Sequence, residues 1–193
     1  TEDVKNSWYT SPSGLYPGNG QTAPDPEKAG GYSWIKAPRY NGMVCEVGPL
    51  ARMVMTYLSG DTTVKKMVHD TLAHFKATPS ALFSVLGRHA ARALEAKLVA
   101  DKMAEWLLEL KTGEPCCAEW QTPDEAEGMG AWEAPRGSVA HWIKIENKKI
   151  ANYQCVPPTN WNGSPRDDKG NPGPIEQALI GTKIKDTKNP FEI

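Results

Sequence analysis

One stretch constrains this chain more than any other: an almost unbroken helical pattern from roughly Ser80 to Leu110. Leu82, Val85, Leu86, Ala90, Ala93, Leu94, Leu98, Met103, Trp106, Leu107 and Leu110 recur at helical spacing. Pro79 stands at its start and Gly113 stops it. About thirty residues at ~1.5 Å rise make a rod of ~45 Å. Such a rod is too long for a small self-contained domain, and it predicts a place in a bundle of long helices, several of them outside this chain. The 39% hydrophobic content, low for an independent core, points the same way.

The rest of the chain organises around that rod. Residues 48–58 read as a helix with Pro49 in the first turn and Gly60 after the end, and about Thr62 to Lys76 reads as a second. Before them, residues 1–42 are broken by Pro12, Gly14, Pro17, Gly18, Gly20, Pro24, Pro26, Gly30 and Gly31. So long an irregular stretch, studded with Trp8, Tyr9, Tyr16, Tyr32, Trp34 and Tyr40, predicts loops draped over a larger body. After Cys116 the pattern changes. His141 to Glu146 alternates as a strand, Asn147-Lys148-Lys149 turns, and Ile150 to Val156 returns as a second strand that Pro157-Pro158 ends. Gly163 to Pro174 reads as loop and Ile175 to Ile180 as a short helix. The expected class is α+β, mainly α. The 193 residues form one incomplete domain, with draped loops over 1–47, helices over 48–113, and a β-hairpin with functional loops over 114–193.

Charge and motifs exclude several functions. With 22 basic and 23 acidic residues the net charge is −1, so nucleic acid is not an expected partner. No apolar run approaches the ~18 residues of a membrane span. The start at Thr1, without Met or signal-type segment, reads as a processed or cut end. No phosphate-binding loop, dinucleotide fingerprint, zinc-protease helix or nucleophile elbow occurs. His69, His74, His89 and His141 are scattered and read as packing or surface residues. Cys45, Cys116, Cys117 and Cys155 include no C-x-x-C pair, and Cys45, Cys116 and Cys117 read as free or structural thiols.

Two loops stand out chemically. In Trp132-Glu133-Ala134-Pro135-Arg136-Gly137, the proline fixes the backbone ahead of the arginine and the glycine permits close approach behind it. That arrangement can aim a guanidinium at a small target, although a plain surface arginine in a turn fits the same residues. In Cys155-Val156-Pro157-Pro158-Thr159-Asn160-Trp161-Asn162-Gly163-Ser164-Pro165-Arg166-Asp167, two prolines followed by polar groups and a tryptophan make a stiff wall bearing donors, or an ordinary loop leaving a strand.

At these loops the chain resembles the large subunit of nickel–iron hydrogenases. The resemblance rests on Glu133 to Gly137, His141-Trp142, Asn152 to Val156, Pro158-Thr159, Trp161-Asn162 and Ser164 to Asp167. Tyr32 to Tyr40 and Glu46 to Arg52 resemble the same family's preceding segment, in the right order. The likeness covers nearly the whole chain.

The resemblance implies part of a catalytic subunit for reversible H2 oxidation to protons and electrons. The family's nickel and iron share cysteine thiolates from two C-x-x-C motifs, neither of which is present, and the second is expected shortly after Pro190 to Ile193. The nickel–iron centre, with its carbonyl and cyanide ligands, would therefore be held from outside this chain. Arg136 would stand over that centre as the catalytic arginine. Ala134, Pro135, Pro157, Pro158 and Thr159 would surround the carbonyl and cyanide ligands. Pro157 departs from the family, which usually has an aliphatic residue there. Cys155 would lend its backbone carbonyl to a magnesium ion, with Lys36 just behind that site. The implied partners are the remainder of the large subunit and a small subunit carrying iron–sulfur clusters. The implied location is periplasmic or membrane-associated through partners, with the cytoplasm as alternative. Two other readings compete: a non-catalytic structural or assembly piece, and a complex-I-type relative without the metal centre.

Overall fold

The computed structural model describes residues 5–10 and 16–189. The loop reading of residues 1–4 and 11–15, and the end at Pro190 to Ile193, lie outside these. Three helices come first: α1 (Pro49–Ser59), α2 (Thr62–His74) and α3 (Val85–Glu109). Three antiparallel strands follow in sequence order, β1 (Glu125–Ala134), β2 (Gly137–Glu146) and β3 (Lys149–Val156). Two short helices, α4 (Pro158–Asn162) and α5 (Pro174–Leu179), complete the set. The class is α+β.

Local chemistry explains the helix ends. Pro49 opens α1, where a missing N–H costs nothing, and Gly60 at φ 100° closes it. The Asp61 side chain accepts from the Val64 N–H to cap α2, and Ser84 accepts from the Gly87 N–H to cap α3. The long rod differs from expectation at its start. Residues Pro79–Phe83 form a separate 3-10 turn, and Ser84 is extended before α3 begins. The turn folds back onto α3 at Gly87, where a Cβ would lie 2.3 Å from the Ala81 carbonyl oxygen. The rod is thus 25 residues long, or ~38 Å at the standard rise.

Leu50 and Met53 of α1, Val64 and Val68 of α2 and Ala91 of α3 make the buried core, with Tyr57, Leu72, Leu94 and Leu98 packed around it. Burial stops near Leu98. Farther along α3, Met103, Trp106 and Leu107 remain 60%, 50% and 68% exposed. The apolar stripe therefore runs past the material that this chain supplies to cover it.

The hairpin expected from the sequence is a three-stranded sheet. β2 starts four residues earlier than the alternation indicated, and β1 pairs with all ten of its residues. Asn147 and Lys148, at φ 53° and 61°, form the tight connection to β3. The sheet face bearing Trp142 and Gln154 carries the preceding loop. Tyr16 packs edge-on to Trp142, while the Asn152 and Gln154 amides donate to the carbonyls of Gly18 and Gly20.

Candidate functional site

Three chain segments meet beside the start of α1: Glu46–Gly48, the β1–β2 turn, and α4. The turn is a two-residue connection of Pro135 and Arg136, with Ala134 opposite Gly137. The positive φ sits on Gly137, at 137°, because proline cannot supply it. Backbone lies on backbone here. A Cβ on Gly48 would come within 2.7 Å of the Arg136 carbonyl oxygen, and one on Gly137 would meet Val47 Cγ2 at 2.4 Å. Glycine at both positions is therefore what allows the two segments to touch.

Asn162, at the end of α4, locks the third segment on. Its Oδ1 accepts from the Val47 N–H at 2.8 Å, and its Nδ2 donates to the Val47 carbonyl at 2.9 Å. Both polar groups of one extended residue are satisfied by a single side chain.

Arg52, one turn into α1, holds the turn from the other side. Nε and Nη2 donate to the two carboxylate oxygens of Glu95 on α3, at 2.5 and 2.7 Å. Nη1 donates to Glu133 at 2.7 Å and to the Ala134 carbonyl at 2.9 Å, and Nη2 also donates to the Pro135 carbonyl at 3.0 Å. The hydrogen bonds to Glu95, with those to Glu133 behind them, push the Arg52 proton affinity well above the ordinary guanidinium value against the opposing effect of burial. Arg52 is a permanent cation here.

These segments frame a cleft of about 300 Å³ lined by Val47, Leu50, Arg136, Pro158 and Thr159, with Ile175 of α5 on the far wall. Arg88, Arg92 and Glu46 also border it. Arg88 grips both Glu46 oxygens, at 2.8 and 2.7 Å, and its own proton affinity rises for that reason. The carboxylate is thereby neutralised, and the cleft keeps a cationic balance from Arg92 and Arg136. Thr159 adds a hydroxyl. Such a cleft can take a small anionic group against apolar walls.

Arg136, Pro158 and Thr159 of the sequence-derived set thus share one cleft. Ala134 and Pro135 turn their carbonyls to Arg52 instead. Pro157 precedes α4, and its carbonyl accepts from the Asn160 N–H. These three residues flank the cleft along the chain and are not among its lining residues. Cys155 lies in β3 opposite His141, half-buried. The Lys36 ammonium donates to the side chain of Gln154, the residue before Cys155 in β3, at 2.7 Å. Among the described residues no group of three or more His, Cys, Asp or Glu is placed to hold a metal.

Sequence reading by itself missed Arg52, Glu95, Asn162 and Glu46 as builders of the site. Arg52, Glu46 and Asn162 fall in segments that carry the family resemblance, which was their one available signal. The pairings span 81 and 115 residues and leave no local pattern.

Comparison with known proteins identifies the family. A family model described as nickel-dependent hydrogenase matches residues 1–193. The periplasmic NiFeSe hydrogenase large subunit of Desulfomicrobium baculatum is 44% identical over 189 residues, covering 96% of this chain and 37% of the relative. The uptake hydrogenase large subunit of Bradyrhizobium diazoefficiens is 43% identical over 221 aligned positions, covering 100% and 37%. A solved structure of H2-activated NiFeSe hydrogenase from Dm. baculatum superposes with a TM-score of 0.84 at 43% identity, covering 98% of this chain and 40% of that one. The chain spans little more than a third of the length of these relatives. It belongs to the nickel-dependent hydrogenase family.

Proposed function

We propose that the Arg136 cleft forms one wall of a nickel–iron centre, and that the assembled protein interconverts H2 with protons and electrons. The carrying observation is the shared cleft of Arg136, Pro158 and Thr159, cationic in balance and apolar in its walls. That donor set suits a metal centre with cyanide and carbonyl ligands. Among the described residues no cysteine lines the cleft, and by the resemblance the thiolates would come from outside this chain. When bound, the metal pair supplies the place where H2 is split.

The chain's own residues act around it. Arg136 holds a fixed positive charge over the cleft, stabilising negative charge that develops there without costing reorganisation. Thr159 can donate its hydroxyl to a cyanide nitrogen, while Pro158, having no N–H, presents an apolar surface suited to carbonyl. Ala134, Pro135 and Pro157 fix the backbone on either side.

By the same resemblance the Cys155 carbonyl serves a magnesium ion, a hard cation suited to oxygen donors. Lys36 stands behind it on Gln154. The remaining ligands would come from outside the described residues. The uncovered stripe of α3 is read as packing on further helices of the large subunit, and exposed Trp34, Trp120 and Trp132 as surface for that subunit or for an iron–sulfur partner. No helix among the described residues is long and apolar enough to cross a membrane. A periplasmic location, as named for the Dm. baculatum relative, is the proposed one.

Elemental and infrared analysis of the purified assembly tests this reading. Nickel together with bands of metal-bound carbonyl and cyanide is the expected result. An assembly that is intact but free of both would refute it and favour a structural role.

A further inference from the structure

We infer that Arg52 is the positioning residue for Arg136, setting the turn from which Arg136 enters the cleft. The inference rests on the reading of Arg136 given above and extends it to a side chain that does not line the cleft.

A guanidinium has five N–H donors. All five of Arg52's are engaged: two on Glu95, one on Glu133, and one each on the carbonyls of Ala134 and Pro135. The Pro135 carbonyl belongs to the peptide bond that leads directly into Arg136, so Arg52 fixes the plane from which the Arg136 backbone departs. The Arg136 carbonyl in turn lies so near Gly48 that a Cβ there would come within 2.7 Å of its oxygen. Gly48 caps the same helix that carries Arg52 four residues later. α1 therefore grips both peptide planes around Arg136, one by contact and one by hydrogen bond, and Glu95 ties that grip to α3. The pair with Glu95 orients the fork, and the fork orients the turn. If Arg52 served stability alone, the Glu95 pair would suffice. Spending the remaining donors on Glu133 and two successive turn carbonyls is what indicates positioning.

Lysine has three donors on one freely rotating nitrogen and cannot span two carboxylates and two carbonyls. The test is a double-mutant cycle on the assembled hydrogenase with Arg52→Lys, Arg136→Lys and both, reading H2 uptake per nickel and the cyanide stretching bands. Arg52→Lys is expected to retain nickel, lose about tenfold or more in uptake, and move the cyanide bands in the same direction as Arg136→Lys. The double variant is expected to match Arg136→Lys alone, because a positioning residue has nothing left to position, whereas independent sites multiply their effects. Multiplying losses with separate band shifts would overturn the inference while leaving the role of Arg136 standing. Wild-type uptake in Arg136→Lys would overturn that role and the inference with it. Should Arg52→Lys fail to assemble, Glu133→Gln decides. It removes one half-exposed anchor and leaves the Glu95 pair, and a smaller loss with the same direction of band shift is expected. Unaltered bands and uptake in Glu133→Gln would then count as refutation.

Discussion

Replacing Gly137 by alanine probes the backbone contact that shapes the cleft. Two costs combine at this position. The backbone sits at φ 137°, a region an L side chain enters at a cost of about 1–3 kcal/mol. The added Cβ would also lie 2.4 Å from Val47 Cγ2 and 2.9 Å from the Gly48 nitrogen. Val47 is β-branched and held at both its N–H and carbonyl by Asn162, so it can yield little. Overpacking of this kind adds about 1–3 kcal/mol. The sum, roughly 2–6 kcal/mol, is comparable to the margin of a typical domain, so the turn is expected to move rather than hold its geometry. Arg136 moves with it. Gly130→Ala is the matched control, because it lies on β1 near the same turn with nothing within 4 Å of its Cβ. Thermal midpoint, nickel content and H2 uptake per nickel of both assemblies decide the matter. Gly137→Ala should show a lowered midpoint and impaired uptake, and Gly130→Ala should resemble the wild type. Equal behaviour of the two would refute the claim that the Gly48–Gly137 contact sets the site.

Asn162→Ala removes two backbone-directed hydrogen bonds and should cost about 1–3 kcal/mol; Asn162→Asp keeps the acceptor for the Val47 N–H but sets a carboxylate oxygen against the Val47 carbonyl, and should cost at least as much, as read from thermal midpoints. Asp167, buried and receiving hydrogen bonds from the Asn171 side chain, the Asn171 N–H and the Lys169 N–H, has its carboxyl held below the ordinary value of 3.8. Its contribution is complete above that value and fades as pH falls through the lower folded one. The stability gap between wild type and Asp167→Asn should therefore narrow in acid below about pH 4, and a gap that widens there would contradict the account. Cys116 and Cys117 are exposed in the connection after α3, away from the cleft, so changing both to serine should leave nickel per assembly unchanged.

The elements with strong local chemistry were legible in the sequence. Pro49 and Gly60 mark α1 to within a residue, the reading of Thr62 to Lys76 meets α2 to within two, and the alternation of β2 with the Asn147-Lys148 turn marks the second hairpin. Strand β1 was not legible. Glu125-Ala126-Glu127-Gly128-Met129-Gly130-Ala131 carries no β-branched residue and no alternation, and nearly all of it is exposed. It is a strand because β2 offers it a partner, a long-range cause that local composition does not record. The break before α3 was hidden because Leu82 and Val85 keep helical spacing across it, while the packing of the 3-10 turn on Gly87 is tertiary. α4 was hidden behind Pro157-Pro158, which ends the strand and also suits a helix start. In the site, Pro135-Arg136-Gly137 announced a rigid arginine. The clamps from Arg52 and Asn162 did not announce themselves, since each joins segments far apart in sequence.

Hydrogen uptake per nickel in Arg136→Lys, with Arg166→Lys as control, tests the central claim most directly. Arg166 is exposed outside the cleft, its backbone bonded to Asn6 and Tyr32. Lysine keeps the charge but not the planar fork. The account expects Arg136→Lys to retain its metals and lose about 100-fold in turnover, equivalent to roughly 2.7 kcal/mol of transition-state stabilisation, while Arg166→Lys stays near wild type. Wild-type turnover in Arg136→Lys would contradict it.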